Sequence, residues 1–269
     1  MLFRTLLVHA NADPHLQARL ALAVSVAREH GAKLMIVHPF QPLLTSMFYG
    51  EHVPVQAIEA QIELERRNAA EIKDRTAEYL SREGVAWEWR TQEGPLEPVL
   101  ASSGVIADMI IMGQDEHDRD SSLVATVALT AGRPVLCVPH TGTFTTCGRR
   151  VLVAWNGSRE SARATHDALP FLQKADNVIL FAADPEAERG ASVPDAAAHL
   201  AAHGAKVEVK RTVLGDLDAG SAILNAAAET GADLVVMGAY GHTRLSEWVF
   251  GGATRSILQA MTVPVLLSH

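Results

Sequence analysis

Asp108-Met-Ile-Ile-Met-Gly113 and Asp233-Leu-Val-Val-Met-Gly238 are one six-residue phrase written twice in the chain. Each copy is an acid, four apolar residues and a glycine, which reads as a short buried strand running into a sharp turn. The repetition extends outward on both sides. Leu6-Leu-Val-His-Ala-Asn11 matches Val151-Leu-Val-Ala-Trp-Asn156, and Arg133-Pro-Val-Leu-Cys-Val138 matches Val263-Pro-Val-Leu-Leu-Ser268. Three matched strands in the same order mean a duplicated unit. The first copy carries a longer middle segment, Gln41–Ser81, and is shorter between Gly113 and Pro134. Between the copies runs His140-Thr-Gly-Thr-Phe-Thr-Thr-Cys-Gly148, polar and glycine-containing as a boundary is. Two domains are expected, residues 1–144 and 148–269.

Within each copy, strand and helix signals alternate. The first reads as strand Thr5–His9, helix Pro14–His30, strand Lys33–His38, helix Val55–Arg82 and strand Val85–Arg90. Helix Leu96–Ile106 and strands Met109–Met112 and Pro134–Val138 complete it. The second reads as Val151–Trp155, Ser161–Phe171, Val178–Ala182, Pro194–His203, Lys206–Arg211, Ala219–Thr230 and Leu234–Met237. A helix over Ala253–Met261 and a last strand, Val263–Leu267, follow. Strands separated by helices imply right-handed βαβ crossovers, so the expected fold is α/β, with two doubly wound, mainly parallel sheets. The last strand of each copy is too apolar for a solvent-facing edge, so Pro134–Val138 and Val263–Leu267 are expected to associate, within one chain or across a dimer.

The net charge of −8 argues against a general nucleic-acid partner, which needs a basic face for phosphates. No apolar run approaches the ~18 residues of a membrane span, and the start of the chain lacks the features of a signal peptide. Cys137 and Cys147 form neither a disulfide framework nor a metal spacing. Two reduced thiols in the cytoplasm are expected.

The second copy continues from Met237 as Gly238-Ala-Tyr-Gly241, then Gly251-Gly252-Ala253-Thr254 at the start of a helix. Strand, glycine turn and helix start together offer unpaired backbone N–H groups and a positive dipole end to an anion. The spacing is neither a Walker A motif nor G-x-G-x-x-G. It resembles the phosphate loop of the universal stress protein family, G-x2-G-x9-G followed by Ser or Thr, except that Gly252 stands where the hydroxyl residue belongs. The resemblance covers the whole chain as a tandem and implies an adenine-nucleotide alpha-hydrolase-like fold. It also implies a stress-associated role and binding of ATP, with Mg2+ accompanying the nucleotide. In an open α/β sheet the ligand sits beyond the carboxyl ends of the strands, so the expected nucleotide-binding residues are Ala154, Trp155, Asn156, Ala183, Met237, Gly238, Gly241, Gly251, Gly252, Ala253 and Thr254. Asn156 takes the place of a family Asp and is either a polar contact or an ordinary helix cap. His242 and Arg244 stand in the same loop, and Glu247–Phe250 reads as core or interface.

The first copy differs at the same place. Gly113-Gln-Asp-Glu-His-Asp-Arg-Asp120 sets four carboxylates where the second has its glycine turn, and Ser121-Ser122 replaces the glycine pair. Acids there repel a triphosphate. His9 and His38 end neighbouring strands near Asp115 and His117, but no H-x-x-x-H or C-x-x-C spacing makes them a metal site. No base, nucleophile and orienting group can be placed as a catalytic set. The expected function is therefore regulatory binding of an adenine nucleotide by the second copy. The alternative is an interaction module that binds no nucleotide and acts through pairing, and slow ATP hydrolysis is a third possibility.

Overall fold

The computed structural model describes residues 2–41, 55–114, 122–183, 191–239 and 252–269. The first half of the chain runs β1 (Thr5–His9), α1 (Leu16–His30), β2 (Lys33–Phe40), α2 (Val55–Glu83), β3 (Trp87–Glu93), α3 (Leu96–Gly104), β4 (Met109–Gly113), α4 (Ser122–Thr130) and β5 (Val135–Val138). The second runs β6 (Arg150–Ala154), α5 (Arg159–Asp167), α6 (Leu169–Leu172), β7 (Asn177–Ala183), α7 (Val193–Ala202), β8 (Val207–Thr212), α8 (Ala219–Thr230), β9 (Leu234–Gly238), α9 (Gly252–Ala260) and β10 (Val265–Ser268).

Among the described residues, ten strands form one sheet in the order β3-β2-β1-β4-β5-β10-β9-β6-β7-β8. Read from either outer edge the sequence of strands is the same, and neighbours within each half are parallel. The two parallel half-sheets are continuous with each other. Strands β5 and β10 pair antiparallel, with Val265 opposite Cys137, Leu266 opposite Leu136 and Leu267 opposite Val135. All six of these residues are fully buried.

Alternate strand residues face opposite sides, and each side supports one apolar core that crosses both halves. Leu6, Val8, Leu34, Ile36, Val151 and Leu180 pack beneath α1, α2, α5, α6 and α7. Leu7, Met35, Ile110, Leu152 and Val235 pack beneath α3, α4, α8 and α9. This is the doubly wound α/β arrangement that alternating strands and helices require.

The acid that opens the repeated phrase does the same work in both halves. Asp108 accepts from the backbone N–H groups of Arg4 and Thr5, at 2.6 and 2.9 Å. Asp233 accepts from those of Gly148, Arg149 and Arg150, at 3.1, 3.1 and 2.9 Å. Each thereby ties the entry of β1 or β6 to the strand beside it.

Three expectations need correction. Residues 122–130, read as no element, form α4. The helix expected over Ser161–Phe171 is two, because α5 ends at Asp167 and α6 restarts at Leu169 with Pro170 in its first turn. The helix expected to reach Ile106 stops at Gly104, leaving Val105 and Ile106 about 60% exposed.

Candidate functional site

Strand order reverses at β6, which has β7 on one side and β9 on the other, both parallel to it. The crevice beyond the strand ends at such a switch point is where an open α/β sheet receives its ligand. A cavity of about 310 Å³ opens there. Ala154, Trp155, Asn156, Ala183, Met237, Gly238, Gly252, Ala253 and Thr254 all line it. Gly241 and Gly251 lie outside the described residues, as do His242, Arg244 and Glu247–Phe250.

The floor is apolar and small. Ala154 at the end of β6 lies beside Phe181 of β7, Ala183 ends β7 and Met237 is the last residue but one of β9. The two alanines leave the space. Leu214, Ala219 and Ile223, from the approach to α8 and its first turns, form a wall that sequence reading missed. Its signal was the cap Asp218, whose carboxylate accepts from the N–H groups of Gly220 and Ser221 at 2.9 and 3.1 Å. Gly220 brings α8 against α9: a Cβ there would stand 2.8 Å from Ser256 Cβ and 2.9 Å from the Ala253 carbonyl oxygen.

The opposite wall is the first turn of α5. Asn156 is exposed, and its Oδ1 accepts from Ser158 N–H at 3.1 Å. It is therefore the turn before the helix and not its cap. The cap is Ser158, whose Oγ accepts from Ser161 N–H at 3.2 Å. Trp155 donates from Nε1 to the Ala191 carbonyl at 3.1 Å, which fixes the indole at the cavity. Ser158, Glu160 and Ser161 also line the cavity, so two serine hydroxyls join that of Thr254 there.

Gly238 owes its identity to packing. A Cβ at that position would lie 2.6 Å from the Glu160 carbonyl carbon and 2.7 Å from Ser161 N. The glycine lets α5 rest directly on the end of β9. A larger side chain at Gly238 would therefore meet α5 before any ligand. Gly252 is different, since a Cβ there meets nothing within 4 Å. It stands exposed at the start of α9, where helix N–H groups lack internal partners.

Glu160 is 7% exposed and is the one formally charged residue among the described residues of the lining. Burial pushes its carboxyl up, but hydrogen bonds from Arg159, its own backbone N–H and Ser158 outweigh that and hold it below the usual range. It is ionised at neutral pH. The residues of this cavity thus fit an adenine base and a sugar on an apolar floor, with the N-terminal turn of α9 beyond.

The first half fills the equivalent space. His9 takes the place of Ala154 at the end of the pairing strand, and its ring is 5% exposed. Burial, then the nearby Arg19 cation, lower its pKa to about 3, so it is neutral. Arg19 is itself 1% exposed, and a Cβ at Gly113 would collide with its Nη1. It donates to the His9 carbonyl at 2.8 Å, Asn11 Oδ1 at 2.6 Å and Asp13 Oδ2 at 2.9 Å. His38 Nδ1 lies 2.8 Å from the Ala10 carbonyl, and its ring stacks on Trp89. Asp115 and His117 lie outside the described residues. No group of three or more His, Cys, Asp or Glu among the described residues could hold a metal ion, and no described helix is long and apolar enough to cross a membrane.

Comparison with known proteins agrees with this architecture. The sequence profile of the universal stress protein family matches residues 148–269. A universal stress protein of Thermus aquaticus is 30% identical over 113 residues, which is 42% of this chain and 77% of that protein. A universal stress protein of Archaeoglobus fulgidus superposes over 98% of this chain and 95% of its own, with a TM-score of 0.80 at 18% identity. A universal stress protein of Pseudomonas aeruginosa covers 99% of this chain and 93% of its own, at TM-score 0.56 and 16% identity. At those identities the structures speak for the fold alone. The match to the Thermus protein carries the family, and the chain belongs to the universal stress protein family.

Proposed function

We propose that this chain is two universal-stress-protein units in tandem, residues 1–144 and 148–269, of which the second binds an adenine nucleotide. The role is regulatory and not catalytic, in a cytoplasmic stress response. The observation that carries this reading is the cavity at the β6 switch point. It combines an apolar slot for a base, an uncrowded Gly252 and the first turn of α9, whose N–H groups lack partners within the helix. ATP with Mg2+ is the ligand the family loop implies. Of the expected site residues, nine line that one cavity, and His9 and Arg19 support a single site per chain by filling the other half. Self-association is taken to be internal, through β5 and β10.

The test is to release small molecules from the natively purified chain, identify them by mass spectrometry, and titrate the full-length protein calorimetrically with adenine nucleotides. One site per chain is expected, and Ala154→Phe, which fills the floor, should abolish it with the fold intact. Absence of binding at millimolar concentration would remove the nucleotide reading. The chain would then be an interaction module acting through its paired units.

A further inference from the structure

His199 and His203 are the one pair of histidines four residues apart in the chain. They stand at the end of α7, His199 in its last turn and His203 as its C-cap. The turn between them is closed, since the His203 N–H donates to the His199 carbonyl at 3.2 Å. The His203 carbonyl accepts from Gln173 Nε2 at 3.2 Å, which ties the end of α7 to the C-cap of α6. Residues at this spacing lie one above the other on the same helix face. Both histidines are exposed, and their ring centres are 4.7 Å apart with the planes at 69°.

We propose that these two imidazoles form a surface site for one late first-row divalent cation, of the Cu2+, Ni2+ and Zn2+ class, with water in the remaining positions. Neutral imidazole suits those metals, whereas Mg2+ and Ca2+ call for oxygen donors. The ring spacing matches a chelate. A cation ~2.1 Å from one nitrogen of each ring, with a right-angled to tetrahedral angle between them, sets the ring centres ~4.6–5.3 Å apart. The observed 4.7 Å falls in that interval, so the rings reach the bound arrangement by side-chain rotation and the backbone stays where it is. The helix adds to this. Its C-terminal end is the negative end of the dipole, where a cation is stabilised. Exposure helps too, because the bound cation keeps its water and avoids the cost of burying a charge. The site is separate from the cavity at β6, since neither histidine lines it. With two ligands it also lies below the sets of three or more acids, thiols and imidazoles that are absent among the described residues.

The experiment is calorimetric titration of the untagged full-length chain with Cu2+ and with Ni2+ in a non-chelating buffer, for wild type, His199→Gln and His203→Gln. Wild type should bind Cu2+ more tightly than Ni2+, and either variant should weaken Cu2+ at least tenfold. Excess Mg2+ should not displace the metal. The paramagnetic resonance spectrum of the Cu2+ form should show nitrogen ligation in wild type that is reduced in each variant. Metal-free melting temperatures should be unchanged, because both side chains are exposed. If a glutamine variant melts lower, asparagine at the same position replaces it in the comparison. Cu2+ affinity unchanged in both variants, or no Cu2+ bound at submillimolar concentration, overturns the site.

Discussion

At His30 the ring lies between Phe3 and Phe171, with centroids 4.9 and 5.5 Å away, and neither ring nitrogen has a hydrogen-bond partner. Burial, and then the nearby Lys174 cation, hold its pKa at about 4. The folded chain thus takes up this proton later than the unfolded chain, in which a histidine titrates near 6.5. Stability is fully present above that pH, is lost as pH falls from about 6.5 to 4, and levels off below. At 1.36 kcal/mol per unit the loss is about 3 kcal/mol. His9, held neutral to about pH 3, adds a loss of the same sign. Urea melts of wild type and His30→Leu between pH 7 and 4 should show a flatter pH dependence in the variant. Equal slopes would remove His30 as a source. Gly252 belongs to the same scale. Because nothing crowds its Cβ, Gly252→Ser should restore a hydroxyl at the start of α9. It should tighten ATP by ~0.5–1.5 kcal/mol, the size of one hydrogen bond, and calorimetry reads this directly. Glu160 was not legible in the sequence, since an acid in the first turn of a helix reads as a dipole partner. Only its depth, and the glycine packed against it, set it apart.

Among the elements, β4 and β9 were legible because four apolar residues ending in glycine leave little else for a chain to do. Helix α4 was not legible. Ser122-Leu-Val-Ala-Thr-Val-Ala-Leu-Thr130 is apolar nearly all round, so it lacks the 3.6-residue alternation that marks a surface helix. The structure supplies the reason: Val124, Ala125, Val127 and Ala128 are buried against the sheet. The cavity floor followed from the strand ends. The α8 wall did not, because Leu214, Ala219 and Ile223 reach the site through the packing of α8 on α9, which Gly220 permits. Contact between elements is also where Gly238 is expected to act. Gly238→Ala would press a methyl into the first turn of α5, and overpacking of this kind costs about 1–3 kcal/mol. The chemical-denaturation midpoint should fall accordingly, whether or not nucleotide is present. A variant as stable as wild type would show that α5 can shift without cost.

For the whole molecule, the decisive contact is the pairing of β5 with β10, which turns two half-sheets into one. Val265 is at its centre with no exposed surface. Val265→Lys would bury an unpaired charge at a cost of several kcal/mol, and scattering and melting together should report a loosened or unfolded chain. Retention of the native melting temperature would show that the seam is dispensable. The seam also has a consequence for numbers. Two separate copies joined along such a strand would depend on mass action, and dilution would weaken both the join and the fold. Here the two strands sit on one covalent chain, so their encounter is a matter of tether length and not of abundance. The folded state should therefore be indifferent to dilution, even when few copies are present. The tether also removes any requirement that the paired units be alike. One can keep an open cavity at its strand ends while the other fills the same space with a histidine and an arginine.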